Sequence, residues 1–587
     1  MIDRNSPKTT DGGEPARAAR ALNEPLNAAL AQFTLGLSPL SLSLAYTDWL
    51  QHLMFSPDKQ LELYAQGMRN WQALYALSAQ SALGLPAPAA VEPSPQDKRF
   101  ADPAWQNWPF NLLSQSFLLT ERWWQRATTD IPGVAPHHED VVAFVSRQIL
   151  DAVAPTNFPQ TNPLVLEQTL REGGANLVRG ACNAAQDAQR TAASEPPVGA
   201  EAFVAGRDVA VTPGKVIYRN RLIELIQYTP ATAHVHPEPI LIMSAWIMKY
   251  YILDLSPQNS LIRYLVENGH TVFAISWKNP TADDRDLSFD DYRRLGFMAA
   301  LDAVNAVAGQ QPVHAVGYCL GGTLLAIAAA AMARDGDNRL GSLTFFASQT
   351  DTTEAGEIML FIDDAQVKFL EDMMAERGYL EGRQMLAAFQ LLRSNDLIWS
   401  AMVQEYLLGK RTPMFDLMAW NADSTRMPAR MHAEYLRTLF LNNDLAQGRF
   451  VVAGRPISLR DIRLPIFAVS TTTDHVAPWH SVYKIHELTS AQITFVLSNG
   501  GHNVGVVNPP GTPRRHYQLA VHDAEASVLD ATRWQAEAPL HDGSWWPAWQ
   551  DWLARHSTTP GPTPPLGAPA AGYAPLGDAP GSYVFER

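Results

Sequence analysis

The spacing of apolar residues divides this chain of 587 residues into two parts. From residue 23 to about 200, apolar side chains recur every three or four positions, which predicts amphipathic helices. The clearest run lies before residue 86 and includes Leu61, Tyr64, Met68 and Trp71. We therefore predict a mostly helical N-terminal domain over 23–200.

The apolar face of the helices before residue 86 has two interpretations. It can pack against the rest of the chain, or it can form a surface that docks on a partner or on an apolar particle. A Pro-rich linker over 86–98 follows these helices and separates them from the next ordered segment. The sequence leaves both interpretations open.

From Ala202 onward, short strand-like runs alternate with helical patterns, which is typical of a parallel sheet with helical crossovers. We predict an α/β catalytic domain over 201–556. Its alternation is interrupted at about 352–450 by an insertion rich in Met, Phe, Leu and Trp, and such insertions commonly cover the site at the strand C-termini. We interpret the insertion as a cap. The predicted strands are Lys215–Tyr218, Leu222–Tyr228, Ile240–Met243, Thr271–Ile275, Val313–Val316, Ser342–Phe346, Ile466–Val469 and Thr494–Leu497.

The two ends of the chain differ in composition from the parts between them. Residues 1–22 are polar and lack any apolar period, which predicts a disordered leader. Residues 557–587 are rich in Pro, Gly and Ala, a composition that cannot build a core of its own. We predict that this tail is disordered as well.

Charge and cysteine content exclude several classes of protein. The formal net charge is -14 and no Lys/Arg-rich run occurs, which argues against nucleic acid as a partner. Two cysteines are too few for a disulfide framework, and the N-terminus lacks the apolar core of a signal peptide. No apolar run is long enough to span a bilayer. We predict a cytoplasmic protein without a transmembrane segment.

The sequence His137-His138-Glu139-Asp140 suggests a metal site, but the pattern does not support one. Adjacent histidines do not share a helix face, and acidic residues are ordinary at the start of a helix. We predict no metal and no cofactor.

The segment from Val313 to Leu325 carries the strongest chemical signal. It reads as a strand, a tight turn and a helix, with Gly317 and Gly321 flanking Cys319. This is the nucleophile-elbow pattern G-x-S-x-G with cysteine in place of serine. A thiolate attacks thioesters readily and forms an acyl-enzyme that is itself a thioester. The alternative is a small buried cysteine on a Gly-rich turn.

Two further residues complete a catalytic triad in the chain order of α/β-hydrolases. Asp474 follows the strand Ile466–Val469, and His502 follows the strand Thr494–Leu497. Because the elbow, the acid and the histidine each stand at a strand C-terminus, we predict that Cys319, Asp474 and His502 act together. The sequence thus predicts an α/β-hydrolase fold with a cap insertion, preceded by a mostly helical N-terminal domain.

Other residues compete for these roles. His475 is a second candidate for the base, but it directly follows Asp474 and should face away from it. Asp351 and Asp254 also lie near strand ends, where local hydrogen bonding is the more common reason for an aspartate.

An oxyanion hole needs two backbone amides. The first is that of Leu320, which follows the nucleophile. For the second we predict the amide of Ile247, in the loop after the strand Ile240–Met243.

Longer stretches of the chain resemble polyhydroxyalkanoate synthases, the bacterial enzymes that polymerise hydroxyacyl-CoA into storage polyester. They cover most of residues 100–553. The matching stretches are NFPQTNP (157–163), GGANLVRG (173–180), KYYILDLSPQNSLIRYLVENGHTVFAISWKNP (249–280), GYCLGG (317–322), RSNDLIW (393–399), FDLMAWNAD (415–423), DHVAPW (474–479), GGHNVGVVNPP (500–510) and GSWWPAW (543–549).

The resemblance implies a function and assigns residues to it. The family's catalytic cysteine, aspartate and histidine fall on Cys319, Asp474 and His502. The implied reaction transfers (R)-3-hydroxyacyl groups from CoA to Cys319 and then to a growing polyester chain, with release of CoA. In the family the aspartate orients the histidine or activates the substrate hydroxyl, and the sequence does not separate these roles. The chain is similar to the self-sufficient single-subunit (class I) type, which implies a homodimer at the surface of storage granules.

The chain departs from many short-chain synthases near the expected acyl pocket. It has Trp246 and Met248 where those enzymes carry small Cys and Asn residues, and Thr352 where an aromatic residue is common. We predict that Trp246 and Met248 line the substrate pocket and that the substrates are short 3-hydroxyacyl groups; the alternative is that they support the loop from behind.

Two other functions fit the same sequence. A cysteine thioesterase would use the same triad but release the free acid, because water would reach the acyl-enzyme. A granule-coat or scaffold protein would use only the N-terminal helices.

Overall fold

The structure is a computed structural model that describes residues 34, 36–83, 85, 88–94 and 97–587. The predicted leader at 1–22 lies outside the described residues, and so does part of the linker at 86–98.

The N-terminal region is helical, as predicted. Several of its helices begin with proline at the first position, and Ser38 and Asn162 cap the free backbone N–H groups of two of them. Within the described residues the bounds are α1 Pro39–Met54, α2 Pro57–Ala82, α3 Phe110–Thr128, α4 Pro136–Ala152, α5 Pro163–Arg171 and α6 Ala175–Ala192.

Two small apolar clusters and one buried cation hold these helices together. Trp49 on α1 packs with Val141 and Val142 on α4. The buried Arg99 guanidinium donates to Asp97, to Glu121 on α3 and to Asp151 on α4. A buried Arg keeps its charge when several carboxylates surround it, so this cluster fixes α3 against α4.

The catalytic domain is built on one mixed sheet. All eight strands that we predicted are present, most of them one or more residues longer than predicted. The strands are β1 Gly214–Arg219, β2 Ile223–Tyr228, β3 His234–Met243, β4 His270–Trp277, β5 Val313–Tyr318, β6 Leu340–Phe346, β7 Tyr379–Leu380, β8 Met427–Pro428, β9 Val451–Val452, β10 Arg455–Pro456, β11 Ile466–Thr471, β12 Ile493–Ser498, β13 His516–His522, β14 Leu540–Asp542, β15 Gly561–Pro562 and β16 Gly577–Asp578.

The order in the main sheet is β14-β13-β12-β11-β6-β5-β3-β4-β2-β1-β16. The six central strands from β12 to β4 run parallel, so their C-terminal ends meet at one edge. The strands on either side, β13 and β2, are antiparallel to their neighbours. The edge formed by the C-terminal ends of the parallel strands is where an open α/β sheet usually carries its ligand-binding or catalytic site.

Helices cover both the sheet and the site edge. The helix after β5 is Ala-rich and twelve of its residues are buried, because small side chains let it lie close to the strands. The helices associated with the sheet are α7 Leu261–Glu267, α8 Phe289–Asp291, α9 Ala299–Ala308, α10 Leu320–Asp335, α16 Trp479–Tyr483, α17 Ile485–Leu488, α18 Ala531–Glu537 and α19 Trp546–Arg555. Among the described residues, no helix combines the length and apolarity that crossing a bilayer requires.

The insertion between β6 and β11 is a helical cap, in agreement with the prediction. Its helices are α11 Asp364–Arg377, α12 Gly382–Leu392, α13 Ser400–Met402, α14 Asp416–Asn421 and α15 Ala429–Tyr435. The cap is tied to the N-terminal region through Gln366 on α11, whose side-chain amide accepts from the Ser38 N–H (2.7 Å) and donates to the Gly36 carbonyl (2.6 Å).

The C-terminal tail corrects our expectation of disorder. β15 pairs with the central strand β3, and β16 pairs with β1 at one end of the sheet. The carboxylate of Glu224, fully buried on β2, accepts from the backbone N–H groups of Ser582 (2.8 Å) and Tyr583 (2.9 Å). The tail builds no core of its own, as its composition indicated, but it borrows hydrogen-bond partners from the sheet.

Candidate active site

The turn between β5 and α10 has the backbone geometry of a nucleophile elbow. Cys319 has φ 54° and ψ -125°, a conformation that side chains rarely adopt. The turn is tight enough that a Cβ on Gly321 would lie 2.1 Å from the Met243 carbonyl oxygen, and one on Gly317 would lie 2.3 Å from the Gly322 Cα. The two glycines are required because the backbones of β3, β5 and α10 meet at this point.

The structure brings His502 and Asp474 together at the same edge of the sheet. The Asp474 Oδ2 lies 2.7 Å from the His502 Nδ1, while its Oδ1 accepts from the N–H groups of Val476 (2.9 Å) and Ala477 (2.8 Å). The carboxylate is thus fixed by two backbone amides before it meets the imidazole.

The protonation of His502 follows from its neighbours. Burial alone would lower the pKa of the imidazole, but the Asp474 carboxylate and Cys319, both hydrogen-bonded to it, raise its pKa well above the usual value. A raised pKa makes the imidazole a stronger acceptor for the proton of the neighbouring thiol. The ring of Tyr318 stacks on His502 at 5.5 Å between centroids and holds the imidazole plane.

Both predicted oxyanion residues border one cavity together with Cys319. Leu320 begins α10, and Ile247 lies in the loop after β3. That loop is held from the cap, because Thr425 donates its backbone N–H to the Ile247 carbonyl (3.0 Å) and its hydroxyl to the Trp246 carbonyl (2.5 Å). With their carbonyls engaged from one side, these peptide units have a fixed orientation.

The cavity has a volume of about 150 Å³ and is mostly apolar. Cys319 and the loop after β3 form one side of the cavity, and the cap forms most of the other walls. Gly36 and Leu37, from the segment before α1, close part of it. The apolar lining residues from the cap are Ile358, Phe361, Ile362, Leu370, Met373, Leu380, Met385, Ala388, Phe389, Leu391, Leu436 and Phe440.

Trp246 and Met248 do not lie where we predicted. The Trp246 side chain is 1% exposed and packs against Trp277, Phe289 and Tyr292, with 5.0 Å between its ring and that of Tyr292. Neither Trp246 nor Met248 is among the residues that line the cavity. Met248 forms a backbone bridge with Ser424 of the cap. The assignment of both as pocket-lining residues is therefore corrected: they support the loop from behind.

The competing acids have local partners. Asp351 accepts from the Thr353 N–H (2.8 Å) and lies 3.6 Å from the Lys484 Nζ. Asp254 is fully buried and accepts from the hydroxyls of Thr212 (2.5 Å) and Ser260 (2.6 Å). Burial raises the pKa of Asp254 to about 6. Neither forms a hydrogen bond with His502 in the structure.

His475 and the paired histidines of α4 lie in environments that differ from that of His502. Burial and the nearby Arg393 lower the pKa of His475, and its Nδ1 has no hydrogen-bond partner among the described residues. His138 lies 2.7 Å from an Asp48 carboxylate oxygen, and His137 lies 3.5 Å from Asp363. Within the described part of the chain, no group of three or more metal-ligating side chains is suited to a metal ion.

Two cap residues that line the cavity beside Cys319 were not predicted from the sequence. Tyr435 lines the cavity, and burial together with the charge of the Cys319 thiolate raises the pKa of its phenol well above the usual value. His432, one helical turn earlier on α15, lines the cavity too. Their spacing is that of an ordinary amphipathic helix, so the sequence carried no signal that distinguished them from core residues.

Comparisons with known proteins identify the fold and the family of this chain. Residues 96–265 match the family described as "Poly-beta-hydroxybutyrate polymerase (PhaC) N-terminus", residues 17–59 match "Poly-beta-hydroxybutyrate polymerase N terminal", and residues 239–509 match the "alpha/beta hydrolase fold". The fold class predicted from the sequence is thereby confirmed. Among solved structures, a monoacylglycerol lipase of Paleococcus ferrophilus is 12% identical, with a TM-score of 0.32, over 57% of this chain and 99% of that chain.

Curated relatives match over nearly the whole length. The "Poly(3-hydroxyalkanoate) polymerase" of Methylorubrum extorquens is 42% identical over 91% of this chain and 88% of its own. The "Poly(3-hydroxyalkanoate) polymerase subunit PhaC" of Rhizobium meliloti (strain 1021) is 38% identical over 97% and 94%. That of Cupriavidus necator is 33% identical over 92% and 90%. On this similarity, which spans the elbow, the cap and the N-terminal helices, the chain belongs to the poly(3-hydroxyalkanoate) polymerase family of acyltransferases.

Proposed function

We propose that this protein polymerises (R)-3-hydroxyacyl-CoA into polyhydroxyalkanoate with release of CoA, through an acyl-enzyme on Cys319. Membership of the polymerase family supports the polymerisation, since its relatives are named for it. The single observation that carries the acyl-enzyme step is the elbow thiol, hydrogen-bonded to a His502 that is itself fixed by Asp474.

The first half of the reaction loads the enzyme. His502 takes the proton of Cys319, and the thiolate attacks the thioester carbonyl of the acyl-CoA. The amides of Leu320 and Ile247 stabilise the tetrahedral oxyanion. The C–S bond to CoA then breaks, and the imidazolium returns its proton to the leaving thiolate. One thioester replaces another, so the exchange is close to balanced in energy.

The second half extends the chain. His502 removes the proton from a hydroxyl group, whose oxygen attacks the acyl-Cys319 carbonyl and forms an ester, while Cys319 leaves as a thiolate. Asp474 orients the imidazole through its Nδ1, the role that the 2.7 Å hydrogen bond supports. Water would release free acid in place of polymer, and the apolar cap over the thiol favours the hydroxyl.

Short 3-hydroxyacyl groups are the proposed substrates. In other proteins, an apolar cavity of about 150 Å³ holds benzene, which has about as many non-hydrogen atoms as a 3-hydroxybutyryl group. The cavity next to Cys319 has the same volume. Because its walls come from the cap, the cap sets the acyl length.

The N-terminal helices are proposed to dock on the polyester granule. α2 exposes an apolar stripe at helical spacing, formed by Leu61, Tyr64, Met68, Trp71 and Tyr75, whose exposed fractions range from 43% to 70%. So much contiguous apolar surface is unusual on a soluble domain, and a water-insoluble polyester is a fitting partner. The homodimer and the cytoplasmic location expected from the resemblance and the composition stay predictions.

The acyl-enzyme is tested by replacing the nucleophile. Cys319→Ala should abolish CoA release from 3-hydroxybutyryl-CoA, and Cys319→Ser should leave at most a trace, because a serine hydroxyl needs far stronger activation. The measurement is CoA release together with product analysis. Polymer supports the proposal, whereas free acid would identify a thioesterase, and the absence of CoA release from the wild type would indicate a scaffold protein.

The acid is tested by a matched pair of substitutions. Asp474→Asn should lower kcat by about 10³–10⁴-fold, because the amide can no longer hold His502 in the productive tautomer. Asp351→Asn should change kcat little, since Asp351 is occupied by Thr353 and Lys484. Steady-state kinetics and circular dichroism on both variants check this. An equal loss in the two variants would move the acid away from Asp474.

Acyl length is tested in the cap. Leu436→Ala enlarges the cavity and should raise the ratio of kcat/KM for 3-hydroxyhexanoyl-CoA over 3-hydroxybutyryl-CoA by about tenfold, the effect expected for one or two methylenes in an apolar pocket. The control Trp246→Phe changes the cluster behind the loop and should leave the ratio unchanged. A shift in the control but not in the cap variant would contradict the assignment of the pocket.

Granule docking is tested on α2. Replacement of Leu61 and Trp71 by Lys should weaken sedimentation with polyester granules at least tenfold, because charged groups resist transfer to an apolar surface. The control Ala76→Lys adds a charge at an exposed position on α2 outside the stripe. If the double variant still sediments like the wild type with unchanged kcat, the stripe is not the docking surface.

A further inference from the structure

His432 differs from the other polar side chains that line the cavity beside Cys319. It lies on α15 of the cap, is 4% exposed, and its Nδ1 has no hydrogen-bond partner among the described residues. A buried polar nitrogen without a partner costs free energy, so such groups persist where they serve a purpose or meet a ligand.

The neighbouring polar side chains are already engaged with protein atoms. The Thr323 hydroxyl donates to the Gln349 carbonyl (2.8 Å), and the Gln349 amide donates to Ser481 (3.1 Å). Gln366 holds the segment before α1. Gln384 caps its own helix, where its side-chain oxygen accepts from the Glu381 N–H (3.2 Å). Apart from Tyr435, on the same helix, the other polar side chains of this wall are thus engaged, whereas the His432 Nδ1 is a buried hydrogen-bonding atom without a partner among the described residues.

Its position relative to the nucleophile is set by the helix. Tyr435 follows one turn later on the same face of α15, with 6.2 Å between the two rings, and Tyr435 is close enough to Cys319 to sense the charge of the thiolate. Both rings border the cavity that Cys319 borders, so an acyl unit attached to Cys319 and seated there lies beside this wall.

The protonation state of the His432 imidazole also suits it to bind a neutral oxygen atom. Burial lowers the pKa of His432 to about 4, so the ring is neutral at physiological pH. A neutral imidazole has one donor and one acceptor nitrogen and can bind either a hydroxyl or a carbonyl oxygen.

Resting on the proposed function, we propose that His432 hydrogen-bonds an oxygen atom of the acyl chain held in the cavity and positions that chain relative to Cys319. The oxygen has two sources, the 3-hydroxyl of the loaded unit and the ester carbonyl of the unit beyond it. In either case His432 helps the polymerase to select oxygenated chains over plain fatty acyl groups of the same length.

Single-turnover CoA release by the full chain tests this with two pairs of substrates. The first pair is 3-hydroxybutyryl-CoA and butyryl-CoA, which differ only in the hydroxyl. The second pair is 3-butyryloxybutyryl-CoA and 3-butoxybutyryl-CoA, which differ only in the ester carbonyl. In the wild type each pair gives a rate ratio. His432→Phe, which keeps a ring but cannot hydrogen-bond, should lower one of these ratios about tenfold, and His432→Gln should restore part of it.

A matched control exists elsewhere in the same domain. His486 is also 4% exposed, burial also lowers its pKa to about 4, and its Nε2 likewise has no partner among the described residues, but it does not line the cavity. His486→Phe should therefore leave both ratios unchanged even if it destabilises the fold to a similar extent.

The outcomes separate the alternatives. A fall in the first ratio identifies the 3-hydroxyl as the partner, and a fall in the second identifies the ester carbonyl. Unchanged ratios in a folded His432→Phe variant, or equal falls in the His486 control, overturn the role of His432 while the acyl-enzyme stands. If the wild type releases CoA from none of the substrates, the proposed function itself fails. Should His432→Phe not fold, the ratios are read from His432→Gln against His432→Leu.

Discussion

The close backbone contact between β3, β5 and the start of α10 is the constraint on which the active site depends. The Gly321 Cα faces the Met243 carbonyl at a distance that leaves no room for a side chain, and Cys319, two residues earlier in the same turn, has a strained positive φ. Strain of this kind costs of order 1–3 kcal/mol and persists only where the surroundings hold it. Here the fully buried β5 and the buried C-terminal part of the parallel strand β3 supply that support.

The same contact determines what lies around the thiol. Since β3 ends beside the elbow, the loop that follows it brings Ile247 to the cavity that Cys319 borders. Since β11 and β12 are further parallel strands in the same sheet, Asp474 and His502 arrive at the same edge. The cap adds two features that the sheet does not provide. It forms the apolar wall of the cavity, and its Thr425 hydroxyl donates to the Trp246 carbonyl in the loop after β3.

Much of this arrangement could be predicted from the sequence, because buried strands and strand-end residues leave strong patterns. The eight predicted strands are mostly apolar runs, and Cys319, Asp474 and His502 each follow directly after one of them, which predicts that they share one edge of a parallel sheet. The partly exposed strand β13 and the exposed strand β14 were not predicted because they lack such runs. The orientation of the Trp246 side chain was not predicted either. Trp246 lies in a loop, and a loop lacks the regular spacing of apolar residues that indicates which side chains point inward.

The prediction that the C-terminal tail is disordered was wrong for a different reason. A composition rich in Pro and Gly measures whether a segment can bury enough of its own surface to fold. It does not measure whether another element offers partners, and the buried Glu224 and Gln227 offer several to residues 565–583. Tyr435 and His432, which line the cavity, were not predicted because cavity-lining residues and core residues of a helix recur at the same spacing.

The position of Gly36 and Leu37 in the cavity wall has a consequence for how the N-terminal region is understood. An anchor that is only attached to a catalytic domain can be removed without altering the chemistry. Gly36 and Leu37, however, line the cavity beside Cys319, and Gln366 binds the Gly36 carbonyl and the Ser38 N–H on either side of Leu37. Under the proposed mechanism, water and the hydroxyl of the next monomer compete for the same thioester, and only the hydroxyl extends the polymer. Loss of the segment before α1 would then open the cavity to water, so its effect would reach the chemistry as well as any docking by the helices that follow.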